Sequence, residues 1–366
     1  MKVFASLRIA AVLLLVSQSA VAAGAHWLER GVTEFRPTAG NALSLPFRLE
    51  APATVSVEIY SSDGARLRVL ESSGELPAGD HELRWDGRDD HGVLVPDEAY
   101  VPVLVATAAG GERIVDDPRT YSGGETLDDV KSSVDAGTGA IRYRLSRPAR
   151  VLVRAGIGGG AMMRSIAEWA PRPAGAVVER WDGYDADGLM RVLDDPRGRV
   201  LVTAFALPAR SIITVGNAAL SYVEYAKARG EELGDKAVPA VLERNGERLS
   251  RYYYSAVERY RVPRIEVTTI GNPPKTADGA FLVREPLSLR VDVPDVADRR
   301  LLETSSYEVG FFLDGDFVAE EERGYLPLTW QLHPRQLGEG RKVLTVNLST
   351  LDGLVAVKSI VLQAAP

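Results

Sequence analysis

The stretch Pro77-Ala78-Gly79-Asp80-His81-Glu82-Leu83-Arg84-Trp85-Asp86-Gly87-Arg88-Asp89-Asp90-His91-Gly92 returns 96 residues later as Pro173-Ala174-Gly175-Ala176-Val177-Val178-Glu179-Arg180-Trp181-Asp182-Gly183-Tyr184-Asp185-Ala186-Asp187-Gly188. The match extends without a gap from Ser44–Gly92 onto Ala140–Gly188, and 18 of the 49 positions are identical. Phe47-Arg48-Leu49 falls on Tyr143-Arg144-Leu145, Pro52-Ala53 on Pro148-Ala149, and Val55 and Val57 on Val151 and Val153. Gly64 meets Gly160 and Arg68 meets Arg164 in the same register. One register held over so many turn and core positions marks a duplicated structural unit.

The unit reads as β. Val55, Val57 and Ile59 alternate with polar residues, the period of a strand with one covered face. Asp63-Gly64 is a tight-turn dipeptide between two such runs. Val101, Val103 and Val105 alternate again, and Val200 and Val202 take their place in the second copy after a three-residue insertion. Short strands separated by frequent turn residues predict a sandwich. From Ile265 to Gln363 the pattern changes but stays β: Leu287, Leu289, Val291 and Val293 alternate, and Phe311-Phe312-Leu313 runs into Asp314-Gly315, a hairpin signal.

The pattern Pro-Ala-Gly, four residues, Arg-Trp-Asp-Gly-x-Asp-x-x-Gly, then a valine-rich strand, resembles the Ig-like domain of the flagellar hook-cap protein FlgD. The C-terminal region resembles the generic bacterial Ig-like domain. The fold class this implies is all-β: tandem immunoglobulin-like β-sandwiches, three modules, after a signal peptide. The expected order is signal peptide 1–22, leading segment 23–39, module 1 at 40–120, module 2 at 136–215, a tyrosine-rich insert at 216–263 and module 3 at 264–366. The motif is specific for the module and not for flagella, because hook-cap proteins carry an additional N-terminal assembly region and no cleaved signal of this kind.

Lys2 and Arg8, the apolar run Ile9 to Val16 and the small-x-small triplet Ala20-Val21-Ala22 form the pattern of a secretory signal. Export to the periplasm or the cell surface is therefore expected, with no transmembrane segment in the mature chain. The formal net charge of −7 argues against nucleic acid as a partner, and the Arg-rich stretch from Arg244 to Arg264 is the one local exception. The chain has no cysteine, which removes disulfides, thiol chemistry and cysteine-ligated metal.

The Trp85-Asp86-Gly87 and Trp181-Asp182-Gly183 motifs have a structural reading: a tryptophan pinning two sheets, an aspartate accepting backbone N–H groups and a glycine at positive φ. Asp182, Asp185 and Asp187 also form a calcium candidate, but the first copy has His91 opposite Asp187 and neither copy has the distal glutamate of a calcium loop. His26, His81, His91 and His333 fall in no metal-ligand spacing, and no nucleophile elbow or phosphate loop occurs. No cofactor and no enzyme activity are expected.

In the insert, Ala218 to Leu233 favours a helix and Asn245-Gly246 a hairpin. Tyr222, Tyr225, Tyr252, Tyr253, Tyr254 and Tyr260 make it the candidate partner-binding surface, the alternative being strand residues that pack one module on the next. The leading functional expectation is a scaffold or docking subunit whose partners are exported or envelope proteins. The alternative is an accessory protein binding polysaccharide, which needs Trp27, Trp169 and Trp330 exposed along one face.

Overall fold

Apolar side chains at alternate positions of a strand can all reach one core, and in the first repeat they do. The computed structural model describes residues 24–28, 31–37, 40–61, 64–230, 243–244, 247–249, 262–303, 306–351 and 353–364. Val55, Val57 and Ile59 are buried, while Thr54 is exposed and Ser56 and Glu58 half-buried. The first sandwich contains β1 (Ala25–Trp27), β2 (Thr33–Phe35), β3 (Leu43–Leu49), β4 (Ala53–Tyr60), β5 (Arg66–Leu76), β6 (Gly79–Trp85), β7 (Ala99–Ala108) and β8 (Arg113–Asp116). The second contains β9 (Ser132–Asp135), β10 (Ala140–Leu145), β11 (Ala149–Ile157), β12 (Met162–Arg172), β13 (Gly175–Arg180) and β14 (Gly198–Ala206). β4 and β5 thus recur as β11 and β12 at the offset of the sequence repeat.

Sheet order repeats as well. β1-β3-β6 in the first sandwich corresponds to β9-β10-β13 in the second, and β5-β4-β7 corresponds to β12-β11-β14. Phe47, Ile59, Trp85 and Tyr100 lie in one core; Ile141, Tyr143, Val153 and Trp181 lie in the other. The leading segment docks on the first module, since β1 pairs with β3 and places Trp27 in that core.

After β14 the chain returns to the first sandwich. β15 (Ile212–Thr214) lies between β2, to which it is parallel, and β7, to which it is antiparallel. Residues 212–214, assigned to module 2 in the sequence reading, therefore pair in the first module's sheet. Successive isoleucines cannot both face one core from a strand, and here all three residues of β15 are buried, the condition of an inner strand covered on both faces. Helix α1 (Tyr222–Ala228) follows, shorter than the expected 218–233. Ser221 caps its N-terminus in a reciprocal capping box with Glu224, and Gly230 at φ +72° follows its end.

Beyond β16 (Glu243–Arg244) and β17 (Glu247–Arg248) comes the third sandwich: β18 (Glu266–Thr269), β19 (Phe281–Val283), β20 (Leu287–Asp292), β21 (Tyr307–Leu313), β22 (Asp316–Glu321), β23 (Leu328–Leu332), β24 (Arg341–Thr350) and β25 (Val355–Ala364). Its sheets run β18-β20-β23 and β19-β25-β24-β21-β22. Leu287, Leu289, Val291 and Val293 are all buried in its core. Asp314 and Gly315 both have positive φ, at +46° and +85°, which makes the expected two-residue hairpin turn between β21 and β22.

Trp85 is fully buried and sits edge-on to Tyr100 at 5.6 Å. Trp85→Ala is expected to destabilise the first sandwich by about 3–5 kcal/mol. Trp85→Phe keeps most of the apolar volume and is expected to cost less; urea titration of the two variants side by side checks the order.

Candidate functional site

The repeated motif builds the same turn twice. Trp85 Nε1 donates to the carbonyl of Arg88 at 2.9 Å, and Trp181 Nε1 to that of Tyr184 at 2.8 Å. Asp86 Oδ1 accepts from the Arg88 amide at 3.1 Å, and Asp182 Oδ1 from the Tyr184 amide at 2.9 Å. Gly87 and Gly183 take φ of +79° and +85° between them. The next aspartate is 0% exposed in both copies. Asp89 Oδ1 accepts from the amides of His91 and Val93, both at 2.9 Å; Asp185 Oδ1 accepts from those of Leu189 at 2.6 Å and Met190 at 3.0 Å.

These bonds divide the calcium candidates among separate tasks. Asp182 holds the Tyr184 amide and Arg164, Asp185 holds its own turn, and Asp187 bonds to the third module. Among the described residues no group of three or more His, Asp or Glu side chains is placed to hold a metal ion.

The second carboxylate oxygen separates the copies. Asp89 Oδ2 accepts from the Tyr225 hydroxyl at 2.8 Å and from Arg229 Nη1 at 2.6 Å, which fastens α1 to the first sandwich. Burial pushes the Asp89 carboxyl upward, but the bonds from Tyr225, Val93, Arg229 and His91 bring it below the usual carboxylate range. The equivalent oxygen, Asp185 Oδ2, is buried without a hydrogen-bond partner. Tyr222 and Tyr225, named as contact candidates, are thus buried in the first core. Tyr252, Tyr253, Tyr254 and Tyr260 lie outside the described residues, as does Asn245-Gly246.

Modules 1 and 2 meet on a buried ion pair. Glu98, just before β7, bonds to Arg150 of β11, and both side chains are 1% exposed. Arg150 Nη1 also donates to the Trp169 carbonyl at 2.9 Å. Trp169, at φ +48°, stacks on Phe205 at 5.2 Å. Nearby, Arg244 Nη1 and Nη2 donate to the carbonyls of Gly123, Ser122 and Arg119, and Nη1 to Glu125 Oε1 at 3.0 Å. This end of the Arg-rich stretch is therefore engaged at the junction.

Modules 2 and 3 meet at the glycine-rich turn between β11 and β12. The Ala161 amide donates to the Gly315 carbonyl at 3.1 Å. A Cβ on Gly160 would stand 2.0 Å from that oxygen, so the two turns touch only because residue 160 has no side chain. The Asn347 carboxamide pairs with both backbone groups of Met162, at 2.9 and 2.8 Å. Asp187 accepts from the Ser359 amide at 2.6 Å and forms an ion pair with Lys358. Arg197, just before β14, pairs with Asp316. The glycine-rich run 156–160 thus serves a docking contact that its composition does not announce, and the replacement of His91 by Asp187 is the one charge difference in sequence that points to it.

The three tryptophans left for a carbohydrate platform do not share an exposed face. Trp27 and Trp169 are only 4% and 6% exposed. Trp330 is half-buried and stacked on Phe311.

Residues 33–110 match the FlgD Ig-like domain, a span that opens with β2 and closes just after β7. The basal-body rod modification protein FlgD of Salmonella typhimurium is 36% identical over 75 residues, covering 20% of this chain and 32% of that protein. The aligned stretch thus spans about a third of that relative. Among solved structures, the fibronectin(III)-like modules of Clostridium thermocellum CbhA cover 93% of this chain and 95% of theirs at 10% identity and a TM-score of 0.20. The Bacteroides ovatus mixed-linkage glucan utilization locus protein SGBP-B, solved with a heptasaccharide, covers 93% and 70% at 11% identity and a TM-score of 0.18. Scores this low carry no argument about module arrangement or ligands. Residues 33–110 are an FlgD-type Ig-like domain within an all-β chain.

Arg150→Ala leaves Glu98 buried without its cation and is expected to cost about 3–5 kcal/mol. The double replacement of Glu98→Leu with Arg150→Met is expected to recover most of that loss, as urea titration reports. Asp89→Asn is expected to cost about 1.5–3 kcal/mol through lost charged hydrogen bonds, with Asp185→Asn costing less. Because the folded chain depresses the Asp89 carboxyl, its contribution is full above about pH 4 and is lost as acid passes through the lower folded value. The protection of α1 amides, taken relative to their intrinsic exchange at each pH, is expected to fall there in the parent chain and to lack that step in Asp89→Asn.

Proposed function

We propose that this chain, whose residues 33–110 are an FlgD-type Ig-like domain, is an exported, non-catalytic scaffold of the bacterial cell envelope that spaces or docks other exported proteins. The observation that carries the reading is the pair of module junctions. Glu98 and Arg150 are desolvated together at one, and at the other Gly160, Met162 and Asp187 bond to Gly315, Asn347 and β25. Such contacts suit a fixed arrangement of modules rather than beads on a flexible string. Among the described residues no helix is long and apolar enough to cross a membrane. The N-terminal charged, apolar and small-x-small pattern supports export.

Polysaccharide binding receives less support, because Trp27 and Trp169 are buried. An FlgD-like role in rod modification would need the portion of that relative which the aligned stretch does not span.

Small-angle scattering of the mature chain is expected to give one distance distribution with defined inter-module peaks, unchanged between low and moderate salt. A profile that fits only a broad ensemble of module orientations overturns the rigid-scaffold reading. Mild crosslinking in the native envelope is expected to join the chain to other exported proteins, and recovery of free monomer alone counts against the docking role.

A further inference from the structure

Among the described residues, two unpaired sheet edges border one cleft. β12 is the outer strand of β12-β11-β14, and β18 is the outer strand of β18-β20-β23. Between them lies a cleft of about 660 Å³ whose floor includes Val357 and Lys358 of β25. On the β18 side every residue from 262 to 268 lines it. Successive strand side chains point to opposite faces, so lining by Glu266, Val267 and Thr268 together means that β18 presents its edge and not a face.

The ladder identifies the free groups. Glu266 pairs with Asp292 and Thr268 with Arg290, and the Ile270 amide donates to the Ser288 carbonyl at 2.8 Å. In an antiparallel ladder, bonded residues alternate with outward-facing ones. The N–H and C=O groups of Val267 and Thr269 therefore point away from β20.

The opposite wall has an unmatched charge. Three cations line the cleft: Arg164 is tied to Asp182, Lys358 to Asp187, and Arg264 stands exposed on the β18 wall, which also carries Glu266. Glu168 has no ion-pair partner among the described residues, and burial raises its carboxyl above the usual range. The neighbouring Ser165 hydroxyl offsets part of that rise by hydrogen bonding to the Glu168 carboxyl, but it brings no charge.

We propose that this cleft receives an extended segment of a partner protein as an added strand on β18, with a lysine or arginine of that segment against Glu168. Main-chain bonds to Val267 and Thr269 supply affinity and the Glu168 carboxylate supplies selectivity, the division expected of strand addition. A cation beside Glu168 also restores the carboxylate's charged form in a site that otherwise disfavours it. The inference rests on the reading of the chain as an interaction scaffold, but it is decided separately: scattering tests the rigidity, and the backbone of β18 tests this cleft.

The probes are two synthetic peptides, Val-Thr-Val-Lys-Val-Thr-Val and the same sequence with glutamate at its centre, titrated against the full mature chain. The lysine peptide is expected to bind at least about tenfold more tightly than the glutamate peptide. It is also expected to slow amide exchange at Val267 and Thr269 by about tenfold or more. Glu168→Lys is expected to reverse the preference, and Val267→Pro, which removes an outward donor, to abolish binding while the far-UV circular dichroism spectrum is retained. Equal affinity for the two peptides, no binding at millimolar concentration, or binding that leaves exchange at Val267 and Thr269 unchanged overturns the proposal.

Discussion

A tryptophan at the centre of a small sandwich is stabilised when its indole N–H finds an acceptor there. In both repeats the acceptor is the carbonyl three residues further on, held in place by the turn that the same motif encodes. The aspartate after the tryptophan, the glycine at positive φ and the buried aspartate two residues later all serve that turn. The rest of each module follows from it: two sheets closed over an aromatic, with the strand after the turn sent back across the core. This is why the motif survives in two copies that differ at most other positions.

The differences between the copies are where the assembly is made. Thr54 in the first copy stands where Arg150 stands in the second, and only Arg150 reaches Glu98 across the junction. His91 stands where Asp187 stands, and only Asp187 bonds to β25. Just before β14, Arg197 of the second copy pairs with Asp316. A common geometry is achieved by conserved turn chemistry, while neighbour recognition rests on a few charged replacements at equivalent corners. In the first copy the corresponding corner is taken by Arg229, just after α1, so a downstream cation lands beside the same turn in both modules.

Much of this was legible in the chain. Period-2 alternation at Val55–Ile59 and Leu287–Val293 reports one-sided burial, a local property that needs no partner to be read. Asp314-Gly315 specifies its turn because few other residue pairs tolerate two positive φ values in succession. Three features were not legible. The return of Ile212–Thr214 to the first sheet depends on pairing across more than 100 residues of chain, and no periodicity encodes the partner of a three-residue strand. The burial of the Tyr225 hydroxyl depends on Asp89, a distant carboxylate whose second oxygen accepts from it. The docking of residues 158–161 on the third module required knowing that two turns would meet backbone to backbone.

The parallel pairing of β2 with β15 also sets how the chain carries load. Tension drawn on the segment before β2 and on the segment after β15 reaches both strands at opposite ends, across the amides of Thr33 and Val215 and the carbonyls of Ser211 and Phe35. Those bonds are loaded side by side and must shear together rather than unzip one at a time. The intervening chain, including the whole second sandwich, lies in a closed loop off that path. Force therefore passes it by until the clamp yields, and the Glu98–Arg150 junction keeps the sheltered module in register meanwhile.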